Sequence, residues 1–100
     1  MHALRIEWDP AKDRLNRRRH HLSFEQAAEL FRSGGDYLEI YDEEHSGQED
    51  RFVALGRIRQ GVIVVVYTER EDDVVRIMSA RMATKKERRR YGESERKGHE

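Results

Sequence analysis

Arginine, histidine, lysine and tyrosine are the side chains with which this chain can do chemistry. Arg17-Arg18-Arg19-His20-His21 is one basic run, Arg57 and Arg59 share a strand parity, and Arg70, Arg76 and Arg81 sit at the ends of apolar segments. A surface carrying several arginines needs carboxylates or a polyanion to offset their repulsion, and the guanidinium fork matches phosphate in a bidentate way. Cleavage of RNA without a metal asks for little more. The substrate's own 2′-OH attacks phosphorus, so the protein has only to remove one proton, supply another to the leaving oxygen, and stabilise the anionic transition state. His20, Lys12 and Tyr91 are of the right types for proton transfer, and Arg70 and Arg81 for charge stabilisation. Arg19, Arg51, Arg57, Arg76, Lys85 and Arg88 are candidates for holding the RNA backbone.

Each assignment has a plainer competitor. Arg17 to His20 at a helix end also suit the negative pole of the helix macrodipole. Arg70, Arg76 and Arg81 are equally able to pair with Glu49 or Glu69. Tyr91 suits the packing of a helix on a sheet, and Arg88-Arg89-Arg90 is generic RNA affinity or a contact for an acidic partner.

Other chemistries lack their residues. The chain has no cysteine, so thiolate metal sites and disulfides are excluded. Its five histidines show no HExxH spacing, and no metal or other cofactor is expected. Neither GxxxxGK[ST] nor GxGxxG occurs, and no serine carries a nucleophile signature. Met1 is followed by no apolar stretch of signal-peptide type, and the longest apolar run, Val62 to Tyr67, is far too short to span a bilayer. The expected location is therefore the cytoplasm, with no membrane partner.

Net charge is zero across 100 residues, but it is segregated. Residues 1–50 carry 7 Lys and Arg against 12 Asp and Glu, a balance of −5, and residues 51–100 carry 13 against 8, a balance of +5. Such a split suits an anionic ligand at one surface and a basic partner or self-association at another.

The elements that must position these groups read as β, α, α, then four strands and a last helix. Leu4, Ile6 and Trp8 alternate with Arg5 and Glu7, the period of a half-buried strand. Asp9-Pro10 starts a helix running to about Arg19, with Asp as N-cap and Pro at the first position. Ser23-Phe24-Glu25-Gln26 is a capping box opening a second helix, whose Phe24, Ala27, Ala28 and Phe31 mark a buried face. Residues 36–41 alternate as an edge strand, and residues 52–59 and 62–69 form a hairpin around Gln60-Gly61. Val62 to Tyr67 lacks alternation, so both its faces should be covered and it should be the central strand. Residues 74–80 make the last strand, residues 83–91 a short basic helix, and residues 92–100 a disordered tail. The expected fold is α+β, βααββββα, in one domain over residues 1–91, with helices packed on one face of a largely antiparallel sheet.

Particular residues resemble those of the BrnT family. Trp8-Asp9-Pro10, Lys12, Asn16, Arg19-His20 and Ser23-Phe24-Glu25 are similar to its opening. Asp42, His45, Glu49, Arg51, Gly56, Tyr67-Thr68-Glu69-Arg70, Arg76-Ile77, Ser79-Ala80-Arg81, Ala83, Glu87-Arg88 and Tyr91 are similar to its remainder. The resemblance spans about residues 4–91 and is most specific from Arg76 to Tyr91. It implies a RelE-like fold and a type II toxin that blocks translation by cutting mRNA. It also implies neutralisation by a ribbon-helix-helix antitoxin, BrnA, with operator DNA bound by the complex rather than the toxin alone. Two departures stand out. Relatives usually carry Lys-His-Gly after the first helix, where this chain has Arg19, His20 and His21. Arg19 keeps the charge but cannot act as a base, and His21 in place of glycine implies a turn with no need of positive φ. One rival function, a non-catalytic RNA- or DNA-binding module, fits less well with zero net charge and 8% aromatic residues; another is a catalytically dead partner subunit acting only as a corepressor.

Overall fold

The computed structural model describes residues 4–32, 36–47, 49–70 and 73–98. The elements in order are β1 (Arg5–Glu7), α1 (Pro10–His20), α2 (Phe24–Arg32), β2 (Tyr37–Tyr41), β3 (Arg51–Ile58), β4 (Gly61–Arg70), β5 (Val74–Met82) and α3 (Lys85–Gly98). One five-stranded sheet has the order β1-β5-β4-β3-β2. The pairs β2–β3, β3–β4 and β4–β5 are antiparallel, and β1 runs parallel to β5. The α+β arrangement and the element order expected from sequence are therefore present, with β4 central.

Alternation along β4 explains its unbroken apolar run. Ile63, Val65 and Tyr67 enter the main core with Leu22, Phe24, Ala27, Ala28, Leu30 and Phe31 of the α1–α2 region. Val62 and Val64 face the other way, into a smaller core with Leu55, Ala83 and Tyr91. The helices thus do not share one face: α3 covers one end of the sheet face opposite α2. It also continues to Gly98, where the sequence suggested a tail from Gly92. Glutamates at 93 and 95 favour helix, and Tyr91 reaches forward one turn to Glu95 at 2.8 Å.

Helix starts follow the sequence closely. Asp9 accepts the Ala11 N–H at 3.0 Å, and Ser23 and Gln26 exchange both capping-box bonds, at 2.9 and 3.0 Å. A second capping box, unread in the sequence, joins Thr84 and Glu87 at 2.8 and 3.2 Å. The inter-helix turn corrects one expectation. His21 caps α1 in the left-handed region at φ 55, ψ 33, and its N–H reaches the Arg17 carbonyl. The turn does require positive φ, and histidine is among the non-glycine residues that tolerate it. At Gly56 the requirement is space, since a Cβ there would lie 2.5 Å from Leu30 Cδ1 and 2.8 Å from Tyr37 Cβ. No described helix is long and apolar enough to cross a membrane.

Candidate active site

One break in the β4–β5 ladder decides which arginines meet. Tyr67 pairs with Ile77 and Val66 with Ser79, so Met78 is an extra residue opposite no partner. Such a bulge reverses the inward and outward alternation beyond it. Arg76 and Arg81 are five positions apart and would otherwise point to opposite faces. With the bulge, Arg76, Ser79 and Arg81 all project from the face opposite α2, in register with Thr68, Val66 and Val64. Arg51 joins them as the partner of Thr68, Arg70 as the partner of Val74, and Arg5 as the neighbour of Val74 on the other side. The part of this face that α3 leaves uncovered therefore carries five arginines.

Among the described residues, carboxylates hold three of them. Arg81 forms a bidentate pair with Glu87 at 2.8 and 2.9 Å, Arg70 meets Glu49 at 3.2 Å, and Arg76 meets Glu7 at 3.4 Å. Only the Glu49 pair was among those anticipated; Glu7 and Glu87 take the other two arginines, because they are the carboxylates that parallel strand β1 and the cap of α3 bring alongside. The Arg81 guanidinium, aided by the Thr84 N–H, holds the Glu87 carboxyl down to about 2. These pairs are partly exposed and each is worth only about 0–1 kcal/mol, so a phosphate can displace the carboxylate. Among the described residues Arg51 has no carboxylate at ion-pair distance.

The second half of the site is a cleft where α1 meets β5. Lys12, Leu15, Asn16, Arg19 and His20 line it from α1, and Met78 and Ser79 from β5, around about 230 Å³. Spacing puts these helix residues together: 12, 16, 19 and 20 share a face at i, i+4, i+7, i+8. Helix α1 has little apolar surface, and a polar clasp holds it instead. Asn16 is 5% exposed; its amide donates to the Leu22 and Ala80 carbonyls, each at 2.8 Å, and its oxygen accepts the Ala80 N–H at 3.1 Å. It occupies the edge of β5 beyond the reach of β1, as a neighbouring strand would. Lys12, Arg19 and His20 are thereby held beside Ser79, the residue that lies between Arg76 and Arg81 along β5.

The remaining sequence candidates lie elsewhere. Tyr91 is buried in the smaller core with its hydroxyl donated to Glu95 at 2.8 Å, and the Asp36 carbonyl lies 3.4 Å away as the alternative acceptor. Burial first, then the Glu95 hydrogen bond, raises its pKa. Arg57 is exposed beside Tyr91 on the α3 side. Lys85 and Arg88 are exposed on the first turn of α3, where Arg88 donates to the Ala83 carbonyl at 3.0 Å. Asn16, Ser79, Thr68 and Glu87 entered the sequence reading only through the family resemblance, with no role attached, and Glu7 only as a strand residue. Asn16 carried one available signal, a lone amide midway between Lys12 and His20 on a helix with almost no apolar face.

The family model described as "Ribonuclease toxin, BrnT, of type II toxin-antitoxin system" matches residues 8–87. A solved structure, the Brucella abortus ribonuclease toxin BrnT, is similar with a TM-score of 0.61 and 24% identity, over 83% of this chain and 100% of that one. At that identity the likeness concerns the fold. The search of curated proteins finds no match.

Proposed function

The chain belongs to the family of BrnT ribonuclease toxins of type II toxin–antitoxin systems, and from that premise we propose that it is a metal-independent endoribonuclease whose active site is the α1–β5 cleft together with the adjoining arginine face. The observation that carries this reading is the convergence of Lys12, Arg19 and His20 on Ser79, between Arg76 and Arg81. In this scheme Lys12 or His20 takes the proton from a ribose 2′-OH. That oxygen forms a bond to the adjacent phosphorus, the bond to the 5′-oxygen breaks, and the other of the two groups protonates the leaving oxygen. Arg81 stabilises the pentacoordinate anion and Arg76 holds the phosphate beside it, each exchanging its carboxylate for phosphate oxygens. Arg19 contributes charge but no proton transfer, since a guanidinium stays protonated. The products are a 2′,3′-cyclic phosphate and a 5′-hydroxyl.

Arg57, Arg70, Lys85 and Arg88 extend the contact along the strand, and Tyr91 serves by packing α3 against the sheet. As the toxin of a type II pair, the chain has an antitoxin partner. The reading adds that this partner is a BrnA-type ribbon-helix-helix protein, that the complex rather than the toxin binds operator DNA, and that mRNA in the cytoplasm is the target. Purified chain incubated with RNA in EDTA tests the activity. Fragments ending in 2′,3′-cyclic phosphate support it, and RNA left intact at micromolar protein refutes it.

A further inference from the structure

The four side chains Glu7, Arg76, Thr68 and Arg51 form one row across β1, β5, β4 and β3. Thr68 stands at its centre, flanked by an arginine on each side at cross-strand distance. It is 2% exposed, and its Oγ1 makes no hydrogen bond. The Nε of Arg51, next to it, is likewise buried and unbonded. Unpaired buried donors are costly and are kept where something outside the fold satisfies them. Two on paired residues of neighbouring strands, with an arginine beyond held by a loose 3.4 Å contact to Glu7, supply donors of the kind that a single tetrahedral anion takes.

Arg51 is also held in place before any ligand arrives. Its backbone N–H bonds Ser46 Oγ at 2.8 Å, its carbonyl accepts the Asp42 N–H at 2.8 Å, and Ser46 Oγ in turn donates to the Asp42 carbonyl at 2.6 Å. The His45 ring caps the same loop on Asp42, at 2.9 Å. The Asp42–Ser46 loop is thus a brace that fixes where the β3 arginine begins, which is the kind of preorganisation that strengthens anion binding.

We propose that Thr68, Arg51 and Arg76 form a phosphate subsite, with the Thr68 hydroxyl as its central donor, that seats one phosphodiester of the bound strand next to the cleft. That the phosphodiester belongs to RNA rests on the ribonuclease reading above; the anion site itself rests on the row of side chains alone.

The test pairs stability with binding in the full-length chain. Thr68→Val keeps the shape and removes the orphan hydroxyl, so without ligand it is expected to melt a few degrees higher than wild type. It is also expected to bind a non-cleavable 2′-deoxy oligonucleotide about tenfold more weakly, the usual loss of one hydrogen bond to a charged group. Inorganic phosphate should raise the melting temperature of the wild type and not that of the variant. Arg51→Lys, which keeps the charge and loses the Nε donor, should show the same loss of binding without the gain in stability. A Thr68→Val chain that melts lower than wild type, or that binds the oligonucleotide within twofold of it, overturns the subsite. If both variants lose binding as expected but the wild type leaves an all-RNA strand uncut, the subsite stands and the ribonuclease reading falls. If Thr68→Val cuts and binds RNA as the wild type does, the reverse holds.

Discussion

Replacing Asn16 by alanine removes three hydrogen bonds at once and leaves the Ala80 N–H and the Leu22 and Ala80 carbonyls facing a small buried void. A net value of about 1 kcal/mol per bond gives about 3 kcal/mol, and the unsatisfied backbone groups add to it. Domains of this size are stable by about 5–15 kcal/mol, so the loss is a large fraction of the total. At about 4–8 °C per kcal/mol, the melting temperature should fall by about 12 °C or more. The same clasp positions Lys12, Arg19 and His20, so at 25 °C, where the variant is still folded, RNA cleavage should fall at least about tenfold. Asn16→Asp is the control. It keeps the acceptor for the Ala80 N–H but sets carboxylate oxygens against two carbonyls, so it should be no more stable than the alanine variant. Calorimetry on both, with cleavage measured on the same samples, gives the answer. A loss below about 1 kcal/mol in Asn16→Ala, or an aspartate variant as stable as wild type, would show that α1 is held by something other than Asn16.

Three further outcomes are expected. His21→Gly relieves the left-handed strain at φ 55 and should raise stability by about 0.5–1 kcal/mol in urea titration; a lower midpoint would mean that the histidine ring contributes more than its backbone costs. Gly56→Ala drives a methyl into Leu30 and the Tyr37 backbone side and should cost about 1–3 kcal/mol, read from the same titration, with an unchanged midpoint counting against the packing described. The Glu87 carboxyl is depressed from 4.5 to about 2 on folding, so its contribution is complete above about pH 4.5 and is lost as pH falls toward about 2. Wild type should therefore exceed Glu87→Gln in melting temperature near neutrality and converge with it in acid. The gap should be about 1 kcal/mol or less because Arg81 is 42% exposed, and a gap that widens in acid would reverse the sign of the linkage.

Local signals carried most of the elements, and long-range geometry carried the site. The unbroken run at Val62–Tyr67, the caps at Asp9 and Ser23 and the spacing of Phe24, Ala27, Ala28 and Phe31 each follow from interactions within a few residues, so they were legible. The parallel pairing of β1 with β5 joins residues about seventy positions apart and leaves no local trace. The bulge at Met78 uses no glycine or proline, yet it decides that Arg76 and Arg81 share a face. Helix α1 lies on the surface, as its thin apolar content implies, with Asn16 its buried residue; nothing local marks that one amide as the anchor. The covering of the second sheet face by α3 was hidden for a similar reason, since among the described residues Ala83 and Tyr91 alone bring buried apolar surface from this part of the chain. His21 shows the opposite error: a non-glycine residue was taken to exclude positive φ, and the chain adopts it there.

The cleft and the arginine face act as one site only if groups from both are needed for the same step. Single-turnover cleavage of a defined RNA in EDTA by wild type, Lys12→Ala, His20→Ala and Arg81→Ala measures this directly, with circular dichroism confirming that each chain is folded. The expected result is a rate lower by about a hundredfold or more in Arg81→Ala and in at least one of the two α1 variants, the usual size of a lost proton-transfer or charge-stabilising group. Wild-type rates in Lys12→Ala and His20→Ala, with loss confined to Arg81→Ala, would contradict the cleft as the place where protons move.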